Sequence, residues 1–461
     1  MPSRQPCLAR IACRIAALVG FLAVAFWIVP AVRAQGNQTS VTAFTTRAVG
    51  GISIDPQGML TNTSRDELGK LRRVLADALQ PVPDGMNRTA GLRKVSLRGL
   101  EAEIKRCRDA DKPLPDAVFC LAGLQRIQYI LVYPEQNDIL LVGPAEGWKV
   151  DPRGNLVGAT SGRPLMLLDD LVVALRAAAS PNRSVMSCSI DPTSEGIKRV
   201  EALFGRMRPG TPPAQAAAAM EEQLGPQQIS VTGVPQTSHF ARVLVAADYR
   251  MKRVSMGFEP SPVRELPSFM SMINASHGSR NLLPRFWLQP EYEPLVRDPD
   301  GLAWEIRGGT VRAMAETDFF DAHGIKHPTG KTDPVSQRWA DKMTQCYDQL
   351  ALADPIFGQL RNCMDLAVVG ALVVKENLTG KINNRLPLLL GSDGVPTAKL
   401  DAPRQVASKA APVSLGRRMA VAAGGVQINP WSVVERSQVA DGPKAVHHES
   451  ASKQRTAWWW D

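Results

Sequence analysis

A pair of apolar helices late in the chain constrains the fold most. Pro334–Leu350 and Pro355–Val374 each open on an Asp-Pro step, Asp333-Pro334 and Asp354-Pro355. The aspartate can accept hydrogen bonds from the free N–H groups of a first turn, and proline stands where its missing N–H costs nothing. Trp339, Met343, Cys346, Tyr347 and Leu350 line one helix; Ile356, Leu360, Cys363, Ala367 and Val374 line the other. Two such stripes joined by a short turn predict a helical hairpin that buries both faces. Asp191-Pro192 predicts a third helix start of the same kind.

A second repeated signal marks strands. Asp-Pro-x-Gly occurs at Asp55–Gly58, Asp151–Gly154 and Asp298–Gly301, each time between segments able to pair. Asp bonds the turn backbone, Pro presets φ and Gly tolerates the exit geometry, so three hairpins are predicted. Ser64 and Glu67 form a capping box ahead of Leu68, Leu71, Leu75 and Leu79. Leu97, Leu100, Ile104 and Cys107 define another helix. Ile127–Tyr133, Ile139–Val142 and Trp148–Val150 read as an antiparallel meander, closed by a helix over Leu168–Ala178. Further on, Val185–Ile190 and Ile229–Val234 read as strands, and Pro213–Leu224 and His239–Met256 as helices.

The expected class is therefore α+β: a small antiparallel meander with helices over 45–180, a main α+β region over 184–376 ending in the hairpin, and a low-complexity, partly disordered tail over 377–461. One strand-like island, 418–434, interrupts the tail. Its Gly424–Pro430 echoes Gly50–Pro56, which predicts two edge strands paired with each other.

Met1–Ala34 reads as a secretory signal. Arg4, Arg10 and Arg14 precede the uncharged run Ile15–Val32, and Val32-Arg33-Ala34 fits cleavage after Ala34. The run is about 18 residues where 7–15 is usual, so retention as an anchor stays open. No other stretch reads as a membrane span. A secreted, periplasmic or cell-envelope location follows. The net charge of +10 is concentrated in the leader and the tail. The body between them has mixed charges close to balance, which argues against a nucleic-acid partner. Five cysteines follow the leader: Cys107, Cys120, Cys188, Cys346 and Cys363. They are too few for a disulfide-built scaffold.

Four constellations could carry function. Glu316, Asp318, Asp321, His323 and His327 combine carboxylate and imidazole, the donor set of zinc or a first-row metal. The plainer reading is a polar loop, because Gly324 and Pro328 oppose a helix that would align the histidines. Trp287, Tyr292 and Trp304 accompany Arg285, Arg297, Arg307 and Arg312; they could stack on sugars, bases or peptide rings, or pack in a strand. Cys346 and Cys363 fall at equal height on the predicted hairpin and could form a disulfide, or remain two reduced thiols in the seam. Trp458-Trp459-Trp460-Asp461 could dock into a groove or a membrane interface, or be a chain end without a role. Phosphate-loop, dinucleotide-loop, nucleophile-elbow and zinc-protease signatures do not occur, and no cofactor is implied.

Val234-Pro235 with Val243–Arg253, then Arg285-Phe286-Trp287, Asp300–Glu305, Trp339–Thr344 and Leu360–Leu366, resemble a secreted, planctomycete-type bacterial family catalogued as domain of unknown function 1598. The resemblance spans roughly Val185–Val374, with outlying pieces at Gly50–Leu60 and Gly424–Trp431. It implies an exported or envelope location and transfers no catalytic residues. The expected function is a non-catalytic envelope or extracellular protein that binds a protein or glycan partner or helps assemble a structure. The alternative is a carboxylate- or metal-dependent hydrolase using Glu316–His327.

Overall fold

Local turn chemistry decides the first pairing in the chain. In the computed structural model, β1 (Ile52–Ile54) and β2 (Met59–Asn62) are antiparallel across Asp55–Gly58. The Gly58 amide donates to the Asp55 carbonyl at 2.9 Å, and the Met59 amide donates to Asp55 Oδ1 at 2.8 Å. The same tetrad joins β6 (Trp148–Val150) to β7 (Leu156–Gly158) and β11 (Leu295–Arg297) to β12 (Ala303–Glu305). Gly58, Gly154 and Gly301 all take positive φ (86°, 86° and 65°), where a side chain would strain the backbone. All three predicted hairpins form.

The structure describes residues 51–62, 65–208, 210–276, 284–320, 326–328, 333–413, 418–451 and 459–461. The leader with its cleavage point, the Ser64 cap and Trp458 lie outside them.

Between those turns run α1 (Arg65–Ala78), β3 (Ala90–Ser96), α2 (Leu97–Asp109), β4 (Tyr129–Tyr133) and β5 (Asp138–Ala145). Ser96 caps α2 by accepting from the Gly99 amide. Then come α3 (Leu168–Ala179), β8 (Met186–Asp191), α4 (Ser194–Arg206), α5 (Pro213–Leu224), β9 (Gln227–Thr232), α6 (His239–Ser255), α7 (Phe269–Ser276) and β10 (Pro284–Glu291). After β12 follow β13 (Thr310–Phe320), β14 (Lys326–Pro328), α8 (Pro334–Gln345), α9 (Tyr347–Ala353) and α10 (Pro355–Lys375). The last segment holds β15 (Gln405–Val406), β16 (Ala411–Val413), β17 (Arg418–Ala420), β18 (Ala423–Ile428), α11 (Pro430–Val434), β19 (Ser437–Val439) and α12 (Gly442–Ala451).

The class is α+β. A mixed nine-stranded sheet has the order β1-β2-β15-β9-β8-β18-β10-β13-β14, and a six-stranded sheet the order β19-β11-β12-β4-β5-β3. β4 and β5 pair antiparallel as expected, but the third strand beside them is β3, which was not expected, and Trp148–Val150 pairs with β7 instead. The described residues form one compact unit, and both sheets draw strands from the regions expected to be separate.

The tail expectation gives way most. Residues 377–461 supply β15, β18 and β19 to the two sheets. β18 sits in the middle of the larger sheet, parallel to β10 and antiparallel to β8, while its echo β1 lies at the edge and is not its partner. Gly424 and Gly425 make this insertion possible. A Cβ on either would stand 1.9 Å from a neighbouring carbonyl oxygen, Phe286 or Cys188 respectively.

The helix pair is also rearranged. The predicted helix Pro334–Leu350 breaks at Cys346, so α8 departs to pack on β13 and α7 and only the short α9 folds back on α10. The equal-height argument for Cys346 and Cys363 therefore fails, and both thiols are free and buried. Asp333 and Asp354 cap their helices as expected, whereas Asp191 ends β8 and Thr193 takes over the third cap. α10 meets the length and composition of a membrane span, contrary to expectation, but is wholly buried here. It packs against α3, α6, α9 and α11. Burial of its side chains all round makes it the axis of the core. Phe286 of β10 meets Trp339 of α8 at 4.3 Å and Phe269 of α7 at 5.3 Å, fixing the larger sheet to this helical layer.

Candidate functional site

The acid–histidine cluster does not come together among the described residues. Glu316 stands in β13 opposite Arg285 of β10, with Arg285 Nη1 at 3.5 Å from Glu316 Oε2. Asp318 and His327 occupy the β13–β14 ladder, opposite Pro328 and Phe319. Asp321 and His323 lie outside the described residues. No group of three metal-ligating side chains occurs among the described residues.

The aromatic–arginine set divides. Trp304 is buried strand packing with Lys381 Nζ 4.9 Å from its ring centroid, and Arg285 lies 4.3 Å from the Trp287 ring centroid. The Tyr292 hydroxyl donates to Asp365 at 2.6 Å in the core. Trp459–Asp461 lies along β3: the Ser96 amide donates to the Trp459 carbonyl at 2.9 Å and the Asp461 amide to the Lys94 carbonyl at 3.0 Å. Those aromatics end on the chain's own sheet.

Several buried ionic groups link elements distant in sequence. Asp365 of α10 accepts from Arg126 as well as from Tyr292. Asp354, fully buried at the α10 cap, accepts from Arg153 at 2.6 Å and Arg250 at 2.8 Å. Lys252 donates to Asp248 at 2.8 Å and to the carbonyls of Ile190 and Gly424. A lysine has three donors, so this one is saturated. Such groups are structural cross-ties.

Burial pushes Cys107, Cys120, Cys188, Cys346 and Cys363 up from the ordinary thiol range, away from the reactive thiolate.

Two sites adjoin α3. On one side, His239 at the start of α6 places Nδ1 3.0 Å from both carboxylate oxygens of Asp170. Burial pushes the imidazole pKa down, but the Asp170 carboxylate pulls it up further, and the net shift is upward. The pair borders a cavity of about 20 Å³ shared with Asn155, Gln359 and Asn362. Gln359 Oε1 is buried there without a hydrogen-bond partner. That volume suits about one water molecule.

The other site is an open cleft of about 400 Å³, within the size range of small-molecule sites. Val173, Arg176, Ala177 and Ser180 recur at helical spacing along α3 and its C-cap and form one wall. Ser184, Val234, Pro235 and Thr397 contribute to the rest. Arg176 donates through Nε to the Leu389 carbonyl and through Nη2 to those of Leu388 and Val395. Burial lowers its pKa, and the Asp169 carboxylate partly opposes that. Asp169 accepts from the Ala398 amide at 3.1 Å, and the Leu400 amide donates to the Thr237 carbonyl at 2.8 Å. These bonds hold the 395–400 segment as a wall of the cleft. Burial raises Asp169 to about 6, against the lowering effect of the Ala398 amide.

None of these residues was read from the sequence as a site, and Val234-Pro235 entered only through the family resemblance. The signal that could have found them is Asp169-Asp170 in the first turn of a helix whose only other charge is Arg176, since acids so placed require partners.

Residues 188–269 match the family model described as a protein of unknown function (DUF1598), from Cys188 within β8 to the first residue of α7. No curated protein and no solved structure matches the chain. The match takes in Val234, Pro235 and His239 and is narrower than the resemblance over Val185–Val374. Residues 188–269, which contribute Gly233, Val234 and Pro235 to the cleft and carry His239, are thus similar to the family of unknown function DUF1598.

Proposed function

We propose that this is an exported, non-catalytic binding protein of the envelope or extracellular space, and that the cleft beside α3 receives its partner group. The observation that carries the reading is the separation of chemistry from space. The acid–imidazole pair faces a cavity of about 20 Å³, whereas the cleft of about 400 Å³ presents Arg176, three hydroxyls and apolar surface. A space of ligand size without a general base or activated nucleophile suits recognition better than turnover. Export is supported by the basic-then-apolar leader, Met1–Ala34.

Ser180→Trp would fill the cleft from its rim. The test is affinity capture from the native compartment with wild-type and Ser180→Trp protein, followed by mass spectrometry of the retained components and of the bait's N-terminus. A component held by wild type and lost in the variant, on a bait beginning at Gln35, is the expected result. Identical retention by both proteins contradicts the cleft assignment, and a cytosolic bait that keeps its leader contradicts export.

A further inference from the structure

We infer that the cleft takes a carboxylate borne on a short aliphatic stem, with the Arg176 guanidinium as its anchor. This rests on the binding reading above and adds the chemistry of the ligand. Arg176 forms no ion pair with a described residue; its Nε and Nη2 hydrogens go to three carbonyl oxygens. Those bonds orient the planar fork without neutralising it, because a carbonyl supplies a dipole and no net charge. Nη1 has no hydrogen-bond partner among the described residues, and it is absent from the buried atoms that lack one, so it stands open to solvent or cleft. A carboxylate oxygen can accept from Nη1 alone, and the unneutralised guanidinium charge favours an anion there over a neutral acceptor.

The nearest acid does not take this role. Asp169 is directed to the Ala398 amide. Val173, Ala177, Val234 and Pro235 surround the space with apolar surface, enough for a few carbons of chain. The hydroxyls of Ser180 and Thr397 add neutral donors that can complete the shell of an anion and impose no charge of their own. A free aliphatic acid and the carboxyl-terminal residue of a peptide share this chemistry.

Calorimetric titration of the full mature chain with isovalerate, with acetyl-alanyl-leucine, and with the amide of each tests the inference and separates the two sources. At least one acid should bind, with its amide roughly tenfold weaker or worse, as expected when one charge-assisted pair is lost. Binding of both acids makes the carboxylate and stem sufficient; binding of the peptide alone assigns the site to a chain end. Arg176→Gln should abolish the acid–amide difference, and Ser180→Trp should abolish binding. If Arg176→Gln does not fold, the acid–amide ratio in wild type and the Ser180→Trp result still decide. Amides that bind as well as acids, yet are lost in Ser180→Trp, overturn the carboxylate and keep the cleft. Acids that bind undiminished to Ser180→Trp overturn both. No binding by either acid overturns the ligand class alone.

Discussion

Asp169 shows how much one buried carboxyl can govern. Its pKa stands at about 6 in the fold against an ordinary 3.8, so between those values the native state holds a proton that the unfolded chain has released. Stability therefore falls as pH rises through that window, and the ionised group costs about 3 kcal/mol at pH 7, at roughly 1.4 kcal/mol per pK unit. Asp170, His239 and Arg176 face it. His239 reinforces the trend: its raised pKa gives stabilisation complete below the ordinary imidazole value and lost as pH climbs through the folded value. Asp169→Asn keeps an oxygen for the Ala398 amide and removes the charge. It should raise stability at pH 7 by about 2–3 kcal/mol and flatten the slope of chemical-denaturation stability between pH 4 and 6. A slope identical to wild type would refute this. Asp354 predicts the opposite sign. Asp354→Ala removes the α10 cap and one buried acceptor of Arg153 and Arg250, leaving Arg250 to Glu259 and Arg153 to solvent, and should cost about 2–3 kcal/mol in urea melts; a loss under 1 kcal/mol would show these bonds to be dispensable.

Elements were legible where their cause is local. Asp, Pro and Gly within four residues determine each of the three hairpin turns, and Asp333 and Asp354 announce their helices. Elements were illegible where distant pairing decides. Nothing in Ala423–Ile428 says centre or edge; that follows from β8 and β10 closing on it from both sides. The break at Cys346 carries no Gly or Pro and arises because α8 follows β13. The sites were illegible for the same reason: Asp170 and His239 are 69 residues apart, and the cleft joins α3 to a segment more than 200 residues later. Gly424 tests the central placement of β18. With φ at 111° and the Phe286 carbonyl 1.9 Å from a would-be Cβ, Gly424→Ala should destabilise by more than about 2 kcal/mol. A neutral effect on the melting midpoint would contradict a β18 enclosed between two strands.

The whole molecule is held by its last 85 residues. They supply strands to both sheets, a wall of the cleft and, through Trp459–Asp461, a cover for the edge of β3. Lys94 Nζ reaches Asp461 Oδ2 at 2.7 Å and joins the backbone bonds there. An uncovered edge strand is a template for association. Removing Trp459–Asp461 should lower the melting temperature by several degrees and promote concentration-dependent self-association in sedimentation; a monomer of unchanged melting temperature would show the cover to be incidental.

Methyl-resolved NMR of the full mature chain, titrated with acetyl-alanyl-leucine, bears most directly on recognition beside α3. The methyl signals of Val173, Ala177, Val234 and Thr397 should shift together and saturably, while those of β13 and β4 stay in place. Saturable shifts centred on β13, or shifts at the four cleft residues that persist unchanged in Ser180→Trp, would contradict it.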